Sequence, residues 1–176
     1  MSTVLKTQNL TKSYGSNKGA NDINITISAG EVVGFIGPNG AGKTTTLKLL
    51  TKLIFPDKGK LYLFDKEITS LADYLKVSNS IGFMPSEGGL YENLKVKDFL
   101  QLSANLYGLK SHENSLELAT ELKLDLNTEI KKLSFGNKRK AALIQAVMHN
   151  PKLTILDEPT AGLDPLVQKQ VLDLIK

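Results

Sequence analysis

The stretch EVVGFIGPNGAGKTTTLKLL, residues 31–50, changes character twice within twenty positions. Its first part, EVVGFIG, is a short apolar run with two valines that ends in glycine, the pattern of a buried strand. From Thr44 the apolar residues Leu47, Leu50 and Ile54 recur at helical spacing, and Pro56 stops the helix. Between them Gly37–Thr44 matches G-x-x-x-x-G-K-[ST] in full, and a strand before with a helix after is the context that gives this pattern meaning. Glycines there let the backbone close around phosphate oxygens where a β-carbon would clash. The amides from Asn39 to Thr44, through Gly40, Ala41 and Gly42, then form a nest of donors, backed by the helix dipole. On this reading Lys43 bridges the β- and γ-phosphates, the Thr44 hydroxyl ligates magnesium and Thr45 sits near the α-phosphate.

The surrounding chain supports an α/β layout. Residues 4–10 read as an edge strand. Ile23, Ile25 and Ile27 alternate with polar residues, the period of a half-buried strand. KLYLF (60–64) and SIGFM (80–84) read as two more strands. From about Leu94 to Val147 the pattern is helical. Val96, Phe99, Leu100, Leu102 and Leu106 suit one amphipathic helix, and Leu116, Ala119, Leu122 and Leu124 another. LTILDEP (153–159) returns to a buried strand, and DPLVQKQVLDLIK begins a further helix. The expected division is a core of 1–85 with 151–176, and a helical subdomain of 86–150 inserted in it.

Composition narrows the classes. The 176 residues are 41% hydrophobic and 23% charged, with no cysteine, so neither a disulfide framework nor a thiolate metal site is available. The start, MSTVLKTQNLTKSYG, lacks the apolar region of a signal peptide, and no apolar run approaches membrane-spanning length. The lysines behind the net charge of +4 are scattered, apart from Lys131–Lys132 and Lys138–Arg139–Lys140, and aromatics are only 6%, which argues against a nucleic-acid partner.

LTILDEP supplies what a phosphate cradle lacks. Asp157 emerges at the strand end, where an acid holds the magnesium shell, and Glu158 can orient and deprotonate an attacking water. A second anion-facing stretch, LSFGNKRK (133–140), reads as a helix start with Ser134 as cap; taken alone it is a plain N-cap with a solvated basic face.

Together these stretches resemble the ATP-binding subunit of an ABC transporter, in order and spacing from about Val4 to the last residue. GPNGAGKTT (37–45, with Pro38) resembles the family's Walker A, LTILDEP its Walker B, LSFGN its signature and AGLD (161–164) its D-loop. Tyr14 stands where the family has an aromatic that stacks on adenine. The resemblance implies a P-loop ATPase fold: a mixed sheet flanked by helices, an N-terminal antiparallel part and a helical insert. It implies ATP and magnesium as cofactors and a head-to-tail pair of nucleotide-binding subunits, homodimer or heterodimer. There Ser134 and Gly136, with Phe135 and Asn137 beside them, would cap the partner's ATP, and Asp164 would lie at the dimer interface. It also implies membrane-spanning partner subunits and a cytoplasmic, peripheral location on the inner face of the membrane.

Three departures accompany it. Phe135 and Asn137 replace a glycine and a glutamine of the commonest signature, a variant similar to that of drug, peptide or polysaccharide exporters. Ser86, followed by Glu87, holds the place of the Q-loop glutamine that touches magnesium or the water; either residue could substitute. The family's later histidine has no counterpart, since His112 and His149 both read as surface residues, and the chain reads as C-terminally truncated. A non-transport ABC ATPase of DNA repair or ribosomes, or a module that binds ATP with little turnover, are the rival readings.

Overall fold

The computed structural model describes residues 2–15, 19–86 and 88–175. They fall into two compact units, residues 1–78 and 79–176. This groups residues 79–85 and 151–176 with the helices, where the sequence expectation joined them to the N-terminal core.

The first unit is built on an antiparallel sheet. Strand β1 (Thr3–Ser13) pairs with β2 (Gly19–Ile23) and β3 (Thr26–Ser28) along one side and with β4 (Lys58–Leu63) along the other. The short β5 (Lys66–Glu67) completes the order β2-β1-β4-β5. The expected edge strand is therefore central: Leu5 and Leu10 are buried on it, and the Thr7 hydroxyl bonds the Ile23 carbonyl. The isoleucine alternation is real. Ile23, Ile25 and Ile27 are half-buried and Asn24 and Thr26 between them are exposed, but the run breaks into two strands at Asn24, whose side chain accepts from the Asn9 amide.

Helix α1 (Lys43–Leu50) follows and buries Thr46, Leu49 and Leu50. Its three successive threonines are poor helix formers, so burial of the leucines holds it. The short α2 (Leu71–Leu75) is fixed by a capping box between Ser70 and Asp73.

The expected buried strand at 31–37 does not form. Residues 31–38 lie in no strand, and Val32, Val33, Phe35 and Ile36 are exposed, Ile36 by 95%. A strand of this kind exists only where flanking strands take up its amides and carbonyls. Among the described residues the strands of this unit are paired with one another, and none pairs with this segment.

The second unit carries one parallel pair, β6 (Ile81–Met84) and β7 (Leu153–Leu156), in register from Ile81 opposite Leu153 to Met84 opposite Leu156. Around it stand α3 (Val96–Leu106), α4 (Glu113–Glu121), α5 (Phe135–Val147) and α6 (Pro165–Ile175). Val96, Phe99 and Leu100 of α3, Leu118 and Ala119 of α4, and Ala141 to Ile144 of α5 form its core. Gly82 lets α5 approach closely: a β-carbon there would lie 2.0 Å from the Ala146 carbonyl oxygen.

His149 is not the surface residue expected. Its ring stacks on Tyr107 at 3.8 Å, Nε2 donates to the Ile81 carbonyl, and Nδ1 is buried without a partner. Protonating Nδ1 would create a buried, unpaired N–H, and burial lowers the His149 pKa accordingly, against the opposing pull of the Ile81 carbonyl. The depressed folded pKa makes the unfolded chain bind more protons, so this contribution is complete above the ordinary histidine value of about 6.5 and is lost as pH falls through the folded pKa. Urea unfolding between pH ~8 and ~5 should show that loss below about 6.5, and His149→Phe, which keeps a ring against Tyr107, should flatten the curve there.

Candidate functional site

In the first unit the glycine-rich loop has the backbone that its sequence requires. Gly40 and Gly42 both stand at φ 84°, in the left-handed region. Gly42 is also held close to β2: a β-carbon on it would lie 2.1 Å from the Gly19 carbonyl oxygen. Ala41 closes the loop by donating its amide to the Pro38 carbonyl at 3.1 Å. The Lys43 ammonium donates to the Gly37 and Pro38 carbonyls at 2.6 and 2.9 Å. Lysine is thereby drawn back over the loop instead of pointing along the helix.

α1 begins at once, with Gly42 as N-cap, no side-chain cap bond and no acidic residue in its first turn. Its first amides and the positive end of its dipole are thus left for an anion. Asn39, Gly40, Ala41 and Thr44 are exposed, and Thr45 is half-buried. Tyr14 projects from the end of β1, 56% exposed, with the Lys12 ammonium 6.0 Å from its ring centre. Lys12 is itself anchored on Asp57 at 2.7 Å, and a second Asp57 oxygen accepts from the Ser13 amide.

In the second unit β7 delivers Asp157 and Glu158. Asp157 is 8% exposed, and its amide extends the parallel ladder to the Met84 carbonyl at 2.9 Å. Glu158 turns left-handed, φ 51°, and is exposed. This reversal sends successive carboxylates to different surroundings, one packed beside the strands and one facing out.

The signature stretch starts α5 as expected. Ser134 is the N-cap, and its hydroxyl oxygen accepts from the Asn137 amide at 3.3 Å, leaving its own proton free to donate. Phe135 lies against the backbone of Gly162, where a β-carbon would fall 2.4 Å from the ring. Gly136 packs under the same loop: a β-carbon there would be 3.0 Å from the Gly162 carbonyl oxygen. Asp164 caps α6 by accepting from the Leu166 and Val167 amides. Ser134, Gly136, Asn137, Lys140, Gly162 and Asp164 line an open hollow of about 370 Å³. Signature and D-loop stretches, thirty residues apart in sequence, are therefore one surface.

The basic face read as solvated is not. Arg139 and Lys140 are buried, at 5% and 9% exposure, and Lys138 pairs with Glu92 at 2.7 Å. The Lys138 ammonium lowers the Glu92 pKa, first by its hydrogen bond and then by its charge. The Arg139 guanidinium donates to the carbonyls of Pro85, Ser86, Asp157 and Glu158. Sequence reading passed over Arg139. The available signal was its place in the stripe Arg139, Ala142, Leu143, Ala146, an i, i+3, i+4, i+7 run that is otherwise core. Ser86 takes part through its carbonyl, and Glu87 lies outside the described residues. Among the described residues no three carboxylates, histidines or cysteines cluster as a metal site.

The sequence profile described as ABC transporter matches residues 20–161. The chain belongs to the ABC transporter family. The bacitracin transport ATP-binding protein BcrA of Bacillus licheniformis is 38% identical over 179 residues, covering 99% of this chain and 57% of that protein. The lipopolysaccharide export ATP-binding protein LptB of Haemophilus influenzae is 33% identical over 98% of this chain and 76% of its own length. A dimeric ATP-binding cassette solved in a post-hydrolysis state with ADP and phosphate superposes with a TM-score of 0.86 at 26% identity, over 97% of this chain and 81% of that one. The chain thus spans a little over half the length of BcrA. Its fold is that of the ABC-type P-loop ATPases.

The two loop glycines give a graded test. Gly40 has open space around its β-position and Gly42 does not. Gly40→Ala should cost about 1–2 kcal/mol, the left-handed penalty alone. Gly42→Ala should cost more, because the Gly19 backbone must also move, and urea unfolding of the two variants would rank them.

Proposed function

We propose that this chain is the ATP-binding and hydrolysing motor of an ABC-type exporter, working as an ATP-sandwiched dimer coupled to membrane-spanning subunits. The loop carries this reading. Two left-handed glycines, an uncapped helix start and a lysine folded over the loop make a cradle of donors with no acidic side chain in the helix's first turn. The names of the relatives support the transport part, one being for bacitracin transport and one for lipopolysaccharide export. The dimeric neighbour with ADP and phosphate supports the sandwich.

The roles follow from the chemistry. Gly37 to Thr45 hold the phosphates, and the exposed face of Tyr14 takes the adenine ring. Thr44 would offer magnesium a hydroxyl and Asp157 would offer it a carboxylate, each a hard oxygen donor suited to that ion. Bound there, magnesium would supply charge stabilisation to the transferring phosphoryl group. Glu158 orients the attacking water and takes its proton. Ser134 donates its hydroxyl proton, and Gly136 its amide, to a γ-phosphate held by a second copy or a homologous subunit, with Asp164 facing that partner. Ser86, or Glu87 beside it, serves in place of the Q-loop glutamine that the family resemblance implies, and the loop through Tyr91 meets the membrane subunits. The core of this motor is 1–85 with 151–176, and 86–150 is its helical arm. Such a subunit works at the cytoplasmic face of the membrane. No helix among the described residues is long and apolar enough to cross it.

The mass in solution of the Glu158→Gln chain, with and without magnesium ATP, tests the reading. The expected result is a doubled mass with ATP, abolished by Lys43→Ala, and steady-state turnover at least about a hundredfold below that of the unaltered chain. ATP binding by a chain that stays single would remove the sandwich. Equal turnover by the unaltered and Glu158→Gln chains would remove Glu158 as base.

A further inference from the structure

β6 and β7 run parallel and end at the same level. The last rung between them is the Asp157 amide on the Met84 carbonyl. Beyond that rung the carbonyls of Pro85 and Ser86 on one strand end, and of Asp157 on the other, need donors, while that of Glu158 already accepts from the Ala161 amide. Arg139 supplies them from α5. Nη1 donates to Pro85 and Ser86 at 2.8 and 2.7 Å, and Nη2 donates to Asp157 and Glu158. All the Nη hydrogens are thereby taken, and the fifth donor, Nε, is buried without a partner. The neighbouring Lys138 pairs with Glu92, so α5 holds the loop that leaves β6 near both of its ends.

We propose that Arg139 is a positioning residue. Its guanidinium clamps the carboxylate-bearing end of β7 and the start of the Ser86 loop to the helix that begins at Ser134, so that the three shift as one body. A displacement of the loop by a membrane subunit then reaches Glu158 and Ser134 together. The effect on turnover rests on the ATPase reading above; the clamp itself does not.

A planar fork is needed. Lysine keeps the charge and most of the stem but concentrates its donors at one point, which cannot serve two strand ends. Arg139→Lys should therefore loosen the junction without emptying the core, and Arg139→Gln should loosen it further. The test is amide hydrogen exchange on the whole chain, with unfolding measured alongside. The Asp157 and Ala161 amides, bonded to the Met84 and Glu158 carbonyls, should exchange about tenfold faster or more in Arg139→Lys. The Lys97 and Met148 amides, bonded to Leu126 and Ile144, should keep their rates.

In the same variant kcat for ATP should fall by about tenfold or more while KM stays within about twofold. Unchanged exchange at Asp157 and Ala161, or equal acceleration at Lys97 and Met148, would overturn the clamp and leave Arg139 as ordinary packing. A raised KM with unchanged kcat would overturn its positioning of Glu158. If the unaltered chain itself shows no turnover, the ATPase reading fails while the exchange result still decides the clamp.

Discussion

A buried guanidinium must have its donors taken up, and strand carbonyls left beyond the last rung of a ladder must have donors brought to them. In the second unit one contact meets both needs. Arg139 satisfies the ends of β6 and β7, and doing so sets the depth at which α5 lies across them. Burial pulls its pKa below the ordinary arginine value, and the nearby Asp157 and Glu158 carboxylates oppose that pull. With α5 so placed, Ser134 caps its start and Phe135 rests on Gly162. Gly162 stands left-handed at φ 70° and leaves room for the ring only because it has no side chain.

The first unit depends on a backbone approach instead. Gly42 meets Gly19, so the start of α1 is fixed against β2, and β2 is fixed by its pairing with the central β1. Lys43 reinforces the loop through its own carbonyls. The glycine-rich loop is therefore a tight turn braced by a sheet, with exposed residues and little side-chain packing of its own. Its shape relies on φ values that only glycine adopts cheaply.

Much of this was legible. Gly37–Thr44 as a tight loop before a helix, Ser134 as a helix cap and Asp157 with Glu158 at a strand end announce themselves because each of these structures demands particular residue types at short, fixed spacing. The helices α3 to α5 and the strands β6 and β7 were readable from periodicity. What failed had a common cause. Residues 4–10 were read as an edge and form the centre of the sheet. EVVGFIG was read as a buried strand and is exposed. His149 was read as surface and is stacked under Tyr107. Each error concerns who the neighbours are, which composition and period do not state.

The sequence by itself determined the family, the glycine backbone of the loop and most of the element types, because these follow from side chains acting within a few residues of one another. Tertiary structure alone decided that Arg139 serves four carbonyls, that the signature and D-loop stretches share one surface, that β1 is central and that residues 31–38 pair with no described strand. Those outcomes depend on contacts between residues tens of positions apart. Such contacts form only when the whole unit buries its core, and no local pattern encodes which donor will meet which acceptor.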